Sequence, residues 1–514
     1  MPAFLAALLV FVSSGAVLVL EILAGRLLAP YVGVTLESFT GIIGTMLAGI
    51  ALGSWFGGRI ADQRSPRTLL GPTMVLGGIL AMLSIPIIDY LGASMRGATA
   101  GTVVFLTTAA FFVPSAVLSA VTPIVVKLQL SDLDDTGRVV GMMSAIGTIG
   151  ALVGTFVTGF VLVAAWPTRP IIRVVAGALV LGGLALWIWL QRDQAGGTSV
   201  DGDDASVGAP STALLVAAVV ASGLSFAAAH PCEYESAYFC AWVQVDDERA
   251  SGRVLWLDTL RHSYADVEDP THLEFSYAQT MSDVVAAIAP EGTPLAVTHV
   301  GGGGMSLPMY LRHVRPGTQS TVLELDPLLV QIARDELGYV PGDDIEVVTG
   351  DARLSLGTVA PGSQDLVIGD AFGGVSVPWH LTTHEFLEDI HGVLRPGGVY
   401  ALNMIDYPPL GFARAELATL ADVFDHVAVL APAERLRGEV GGNFIMVASD
   451  DPLPVEEMLA RNAARGDDED ALWTPGSTVP GLDLADFVGD AAVLDDDFAP
   501  VDQLLTPYPD RRRG

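Results

Sequence analysis

The sequence predicts two structural classes in one chain: an all-α, multi-pass membrane region first, then an α/β doubly wound domain preceded by a small antiparallel β piece. Three observations predict it. Seven apolar runs crowd into the first 229 residues. The charges are divided as sharply, with 11 acidic and 10 basic residues up to position 231 and 47 acidic and 16 basic beyond it. From residue 295 onward, short apolar strand-like runs alternate with helical stretches, and the first of these runs stops at four consecutive glycines.

The apolar runs lie near 3–25, 38–58, 69–91, 101–126, 139–165, 170–190 and 212–229. Each is long enough for a helix to cross a bilayer, which takes roughly 20 residues. A cleavable signal peptide would account for the first alone. Stretches such as "GIIGTMLAGIALGSWFGG" supply the small residues that let helices approach closely in lipid. The expected organisation is a membrane domain of about six transmembrane helices over 1–191, a polar linker over 192–211 and a seventh helix over 212–230. Glu21, with Arg26 a little further on, is an ionisable group near membrane depth, where such a group marks a pathway or a buried pair. Arg59, Arg64, Arg67, Lys127 and Arg138 lean toward one side of the membrane, while Arg96, Arg169 and Arg173 lean toward the other. The positive-inside bias is therefore slight, and the side on which the second half lies stays open.

The acidic half carries most of a formal net charge of −32, and Lys127 is the only lysine in the chain. Few lysines with abundant aspartate suit a surface kept soluble in high salt. The same surface argues against nucleic acid as a partner, since phosphate contacts need Lys or Arg. Cys232 and Cys240 are too few for a structural zinc site. They are either a disulfide at an oxidising face or two buried thiols.

Residues 231–290 read as a β-rich piece, with "YFCAWVQVDD" and "GRVLWLDTL" alternating like strands before the helical "HLEFSYAQTMSDVVAAI". Residues 291–450 follow the strand–helix alternation that predicts a parallel sheet with its ligand at the strands' carboxyl ends. Gly301 to Gly304 remove the Cβ atoms that would hold a ligand off the backbone, and Glu324 ends the next strand 23 residues beyond Gly301, near the spacing at which an acid meets ribose hydroxyls. "GDAR" at 350–353 and "DLVIGDAF" at 365–372 bring further acids to successive strand ends, so Glu324, Asp351 and Asp370 are expected to face one crevice. Asp326 is expected to cap the helix that follows it. Residues 451–514 read as a mostly irregular acidic extension with some short helix, ending in "RRR".

The order "ESAY", "LWLD", "LEFSY", "GGGG", "LELD", "GDAR", "DLVIGDAF" resembles the spermidine synthase (polyamine aminopropyltransferase) family, built on the class I methyltransferase fold, over roughly 233–450. The first half resembles the multi-pass region often fused to such domains, and "GGRIADQR" resembles a loop of major facilitator transporters. The resemblance implies decarboxylated S-adenosylmethionine, or S-adenosylmethionine itself, as bound substrate, no metal, a polyamine such as putrescine as second substrate, attachment to a lipid bilayer, and room for a homodimer. It places Gly301, Gly302 and Gly303 on the thioether side of the nucleoside, Glu324 on the ribose, Asp351 and Ala352 on the adenine edge, and Asp370 at the reacting centre. Glu235, Tyr238, Asp258 and Tyr277 would surround the polyamine channel.

The chain departs from the family pattern at Gly304 and Met305 in the loop, at Ala278 and Gln279 after Tyr277, and at Gly373, where a second acid is usual. His262, His272 and His380 are nearby candidates to stand in for the missing groups. Three readings follow: an aminopropyltransferase, a methyltransferase using intact S-adenosylmethionine, and a non-catalytic transporter or sensor that binds a nucleoside or polyamine.

Overall fold

The computed structural model describes the chain except for residues 35, 96–99, 131–132, 197–207, 375 and 507–514. Arg96, most of the expected linker and the terminal "RRR" lie outside the described residues. The chain divides into two compact units, Met1–Ala241 and Trp242–Gly514.

In the first unit, six helices among the described residues are long and apolar enough to cross a membrane: Ala3–Val32, Leu36–Gln63, Pro66–Ser94, Gly101–Gln129, Thr136–Ala165 and Thr168–Asp193. The helix over the seventh apolar run, Thr212–Ala227, has 16 residues. At 1.5 Å per residue it rises about 24 Å, short of the roughly 30 Å of a bilayer's hydrocarbon core. Small residues set the helix packing. A Cβ on Gly53 would lie 2.0 Å from the Ala116 carbonyl oxygen, and one on Gly57 would lie 2.7 Å from Ala120 Cα. These two glycines, four residues apart, let the second helix touch the backbone of the fourth, as close packing in lipid requires. Outward faces are apolar, with Phe156, Phe160 and Val161 exposed.

The first unit ends in a short ladder of β1 (Tyr234–Glu235) and β2 (Cys240–Val245), the latter running on into the second unit. Cys232 and Cys240 form a disulfide.

The second unit begins with the antiparallel hairpin of β3 (Gly252–Leu257) and β4 (Leu260–Asp266), followed by a helix over Ser276–Ile288. The main sheet is made of β5 (Ala296–Val300), β6 (Gln319–Glu324), β7 (Ile345–Thr349), β8 (Gln364–Gly369), β9 (Leu394–Asp406), β10 (His426–Pro432), β11 (Gly442–Ser449), β12 (Glu469–Trp473) and β13 (Gly476–Ser477). Across the sheet the order is 7-6-5-8-9-11-10-12-13. Strands β5 to β9 are parallel, while β11 runs antiparallel between β9 and β10. The order reverses at β5, so the loops after β5 and β8 open into one crevice. Both faces are covered. Along β8, Leu366 and Ile368 pack toward the helix Ser276–Ile288, while Val367 packs toward the helices His384–Val393 and Gly411–Val423.

The C-terminal stretch is more ordered than its composition predicts. Strand β12 pairs with the free edge of β10, Val429 opposite Leu472, and Phe487, Leu494 and Val501 are buried in the core. The apolar residues that do this are spaced irregularly among aspartates, so no local period announces them.

Glu416, on the helix Gly411–Val423, is fully buried and neither carboxyl oxygen has a partner. Burial raises its pKa well above the ordinary value of 4.5. The folded state therefore keeps a proton that the unfolded chain gives up, so this group's contribution is complete below about 4.5 and is lost as pH rises toward its folded pKa. Glu416→Met removes the unpartnered group while keeping its length. Thermal unfolding should show the variant more stable than the parent by about 1–3 kcal/mol, with the gain larger at pH 8 than at pH 5. An equal gain at both values would show that folding does not raise the pKa of this carboxyl.

Candidate active site

Val300 ends β5, and the chain turns through Gly301 and Gly303 at φ of +94° and +47° before the helix Ser306–Val314. Only glycine adopts such values at Gly301 without strain. A Cβ there would also sit 2.7 Å from the Asp370 carbonyl oxygen, so the loop lies directly on the end of β8. Glu324, at the end of β6, is buried, and its Oε2 accepts hydrogen bonds from the Gly302 and Gly303 amides at 2.9 and 3.0 Å. Its Oε1 accepts one from the Asp326 amide at 2.8 Å. Burial raises the Glu324 pKa, and these three donors partly offset the rise. Asp326 caps the following helix through the Leu328 amide, as its position predicts.

The departure at Gly304 has a steric reason. The Gly304 amide donates to Ser263 Oγ at 3.0 Å, and a Cβ at this position would come within 2.8 Å of Ser263 Cβ.

Asp351 follows β7 and caps the helix Ala352–Leu356, its Oδ1 accepting from the Arg353 amide at 3.0 Å. Its Oδ2 is 2.9 Å from His380 Nε2, and Ala352 is buried behind it. Arg353 in turn is held by both oxygens of Asp496, at 2.6 and 2.7 Å. The acidic C-terminal stretch thus braces this loop, where its composition alone suggests solvated surface.

Asp370 ends β8 and is held from two sides. Tyr277 Oη donates to its Oδ2 at 3.2 Å, and Asn403 Nδ2 donates to its Oδ1 at 2.8 Å. Asn443 Nδ2 donates to Asn403 Oδ1 at 2.9 Å, which orients the Asn403 amide toward Asp370. Burial pushes the Asp370 pKa up to about 7, against the lowering effect of the Asn403 and Tyr277 hydrogen bonds. The Tyr277 hydroxyl is raised well above its ordinary value, by burial first and by the Asp370 charge second.

Of these groups the first three glycines, Tyr277 and Asp370 line one cleft of about 540 Å³, open to solvent on one side, while Glu324, Asp351 and Ala352 are not among its lining residues. Gly301, Gly302, Gly303, Tyr277, Asp370 and His262 line it, together with Glu274 and an apolar wall that includes Leu273, Phe275 and Leu307. No Arg or Lys is among the lining residues. Of the three candidate histidines, only His262 lines the cleft; His272 pairs with Glu274 and His380 with Asp351. Burial lowers the His262 pKa to about 4, so near neutrality its imidazole is a weaker base than Asp370.

Three further expected residues are not among the lining residues. Glu235 belongs to the helical unit, where its Oε1 accepts from the Thr168 amide at 2.8 Å and pairs with Arg26 at 3.3 Å. Arg26, not Glu235's expected ligand, takes that carboxylate. Tyr238 is exposed in the same unit, beside Phe239. Asp258 occupies the turn between β3 and β4 at φ of +52°, a position that aspartate tolerates better than most residues. None of the three lines the cleft. Glu21 is partly buried on the helix Ala3–Val32.

Three contributors escaped the sequence reading: Glu274, Asn403 and Asn443. A signal existed for Asn403, a lone polar residue inside the apolar "VYALNMI".

Strand order, glycine turn and strand-end acids together define a methyltransferase-like α/β domain with a cleft beside the glycine turn. Comparisons with known proteins narrow this further. No protein-family model matches the chain. A polyamine aminopropyltransferase of Vibrio vulnificus is 28% identical over 247 residues, which cover 47% of this chain and 79% of that protein. The human eEF1A lysine and N-terminal methyltransferase is 28% identical over 178 residues, 32% of this chain and 25% of that protein. Among solved structures, a probable spermidine synthase from Corynebacterium glutamicum is 27% identical, with 52% of this chain and 97% of that one covered at a TM-score of 0.46. The C-terminal unit is thus spermidine synthase-like in sequence, and the chain spans only a quarter of the methyltransferase that it also matches.

Proposed function

We propose that the C-terminal unit binds decarboxylated S-adenosylmethionine and transfers its aminopropyl group to an amine of the polyamine class, while the apolar helices hold it at a membrane. The observation that carries this reading is the charge of the cleft. Two carboxylates, Asp370 and Glu274, line it without any Arg or Lys. Such a cleft favours cationic amines and offers no cation for the carboxylate of intact S-adenosylmethionine. The similarity to a polyamine aminopropyltransferase supports the same reading.

In this reading Gly301 to Gly303 pass along the nucleoside, Glu324 meets the ribose, and Asp351 with Ala352 meets the adenine edge. The acceptor nitrogen attacks the carbon beside the sulfonium with its lone pair. The carbon–sulfur bond breaks, and its electrons stay on sulfur as methylthioadenosine departs. The proton lost from nitrogen passes to Asp370, whose pKa near 7 suits a general base.

Methyl transfer from intact S-adenosylmethionine is the second reading, favoured by the similarity to a lysine methyltransferase, whose name also specifies an amine acceptor. Calorimetric titration of the full chain in detergent and high salt separates the two. The decarboxylated form should bind at least about tenfold tighter than the intact form, a difference of about 1.4 kcal/mol, and 1,4-diaminobutane should then release methylthioadenosine. Tighter binding of the intact form would turn the reading to methyl transfer. Binding without turnover would leave a sensor.

A further inference from the structure

The cleft carries one acid that the proposed chemistry leaves unused. Asp370 sits at the end of β8 with an oxygen bonded to each of Asn403 and Tyr277. Glu274 lines the same cleft but is solvent-exposed, so it stands toward the opening. Its Oε2 lies 3.1 Å from His272 Nε2. Both positions are tied to one short stretch of chain, Glu274 to Tyr277, at the start of the helix Ser276–Ile288. Glu274 supplies a carboxylate, and three residues later Tyr277 reaches Asp370. The same stretch also lines the cleft with carbon: Leu273, Phe275 and the Tyr277 ring, with the Phe275 and Tyr277 ring centroids 5.9 Å apart.

A buried acid, an exposed acid and apolar side chains thus line one cleft. It fits a flexible chain of methylenes with nitrogen at both ends. The inner amine must be neutral to attack, and Asp370 can take its proton. The outer amine takes no part in the bond exchange and stays an ammonium, which an acid at the opening can pair with. Glu274 is the only other acid among the lining residues, no Arg or Lys lines the cleft beside it, and its partner His272 is a cation only when protonated.

We infer that Glu274 is the second carboxylate of the acceptor site: it holds the distal ammonium of an α,ω-diamine and so selects diamines over monoamines. This rests on the aminopropyl-transfer reading above and adds to it the residue that sets acceptor class. It also accounts for Gly373, where the family pattern has a second acid, since the acid is delivered from a different segment.

The test is steady-state turnover by the full chain in detergent, with decarboxylated S-adenosylmethionine as donor and methylthioadenosine release as readout. Acceptors are 1,4-diaminobutane and 1-aminobutane, which differ by the distal nitrogen alone. The parent protein should favour the diamine. Glu274→Gln should raise KM for the diamine with little change in kcat, cutting the diamine-to-monoamine ratio of kcat/KM by about three- to fivefold, the worth of an exposed ion pair. Glu274→Asp should recover part of that ratio. Glu268→Gln, at an exposed acid outside the cleft, controls for loss of surface charge. A ratio in Glu274→Gln within twofold of the parent, or an equal loss with both amines, overturns the assignment and leaves aminopropyl transfer standing. If the parent releases no methylthioadenosine with either amine, aminopropyl transfer itself falls, and this assignment with it.

Discussion

Asp370→Asn should lower methylthioadenosine release by about 10²- to 10⁴-fold, the usual worth of a positioned general base, while the affinity for the nucleoside stays within a few fold. The amide keeps the shape of the carboxyl, so Tyr277 and Asn403 still have a group to pack against, but it cannot take a proton. The pH profile makes the test sharper. Asp370 acts as a base only when ionised, and its pKa is raised to about 7. The parent kcat/KM should therefore fall as pH drops below about 7 and level off above it. In the variant that limb should vanish, leaving a low, flat profile. A variant that kept parental turnover would remove Asp370 from the chemistry. One in which both proteins bind nucleoside and neither turns over would favour a sensor.

Gly301→Ala carries the second-largest expected effect, and it acts on binding. Two costs fall on one residue. The backbone at φ of +94° is strained for any residue with a Cβ, and the new methyl would meet the Asp370 carbonyl oxygen at 2.7 Å. Strain of this kind costs about 1–3 kcal/mol. The clash adds to it by pushing the glycine turn away from the end of β8. Nucleoside affinity should drop by more than about tenfold in calorimetry, and thermal stability should fall with it. Gly362→Ala is the informative comparison. Gly362 has φ of +62° with open space around it, so it incurs the strain without the clash. It should lose stability and keep its nucleoside affinity. Equal binding losses in the two variants would mean that the turn at Gly301 does not shape the site.

The parts of this protein legible in its sequence are those encoded locally. Apolar runs of membrane-spanning length need no partner to be recognised, and six of the seven correspond to long helices. The strands β5 to β9 announce themselves as apolar runs between helical stretches. In a parallel sheet their carboxyl ends lie side by side, so an acid at the end of each run can be assigned to one crevice before any contact is known. That is why Glu324 and Asp370 could be placed with the glycine turn. The seventh run, expected as a further transmembrane helix, forms a helix of 16 residues, because an apolar stretch near the required length does not state how many of its residues will be helical.

What only the tertiary structure decided concerns pairs that are distant in sequence. Asn403 and Asn443 meet Asp370 because β9 lies beside β8 and β11 beside β9, an adjacency set by strand order and invisible to periodicity. Glu235 looked like a channel residue by its place in a motif, yet Arg26, 209 positions away, takes its carboxylate. Asp496 looked like solvated surface until Arg353 was found against it, 143 positions away. By itself the sequence determined where apolar residues recur and where glycine allows a turn, since these depend on neighbours along the chain. Which charge meets which acid, and which carboxyl is buried deeply enough to titrate near 7, depend on the three-dimensional neighbours that displace water. Those neighbours exist only once the sheet has assembled.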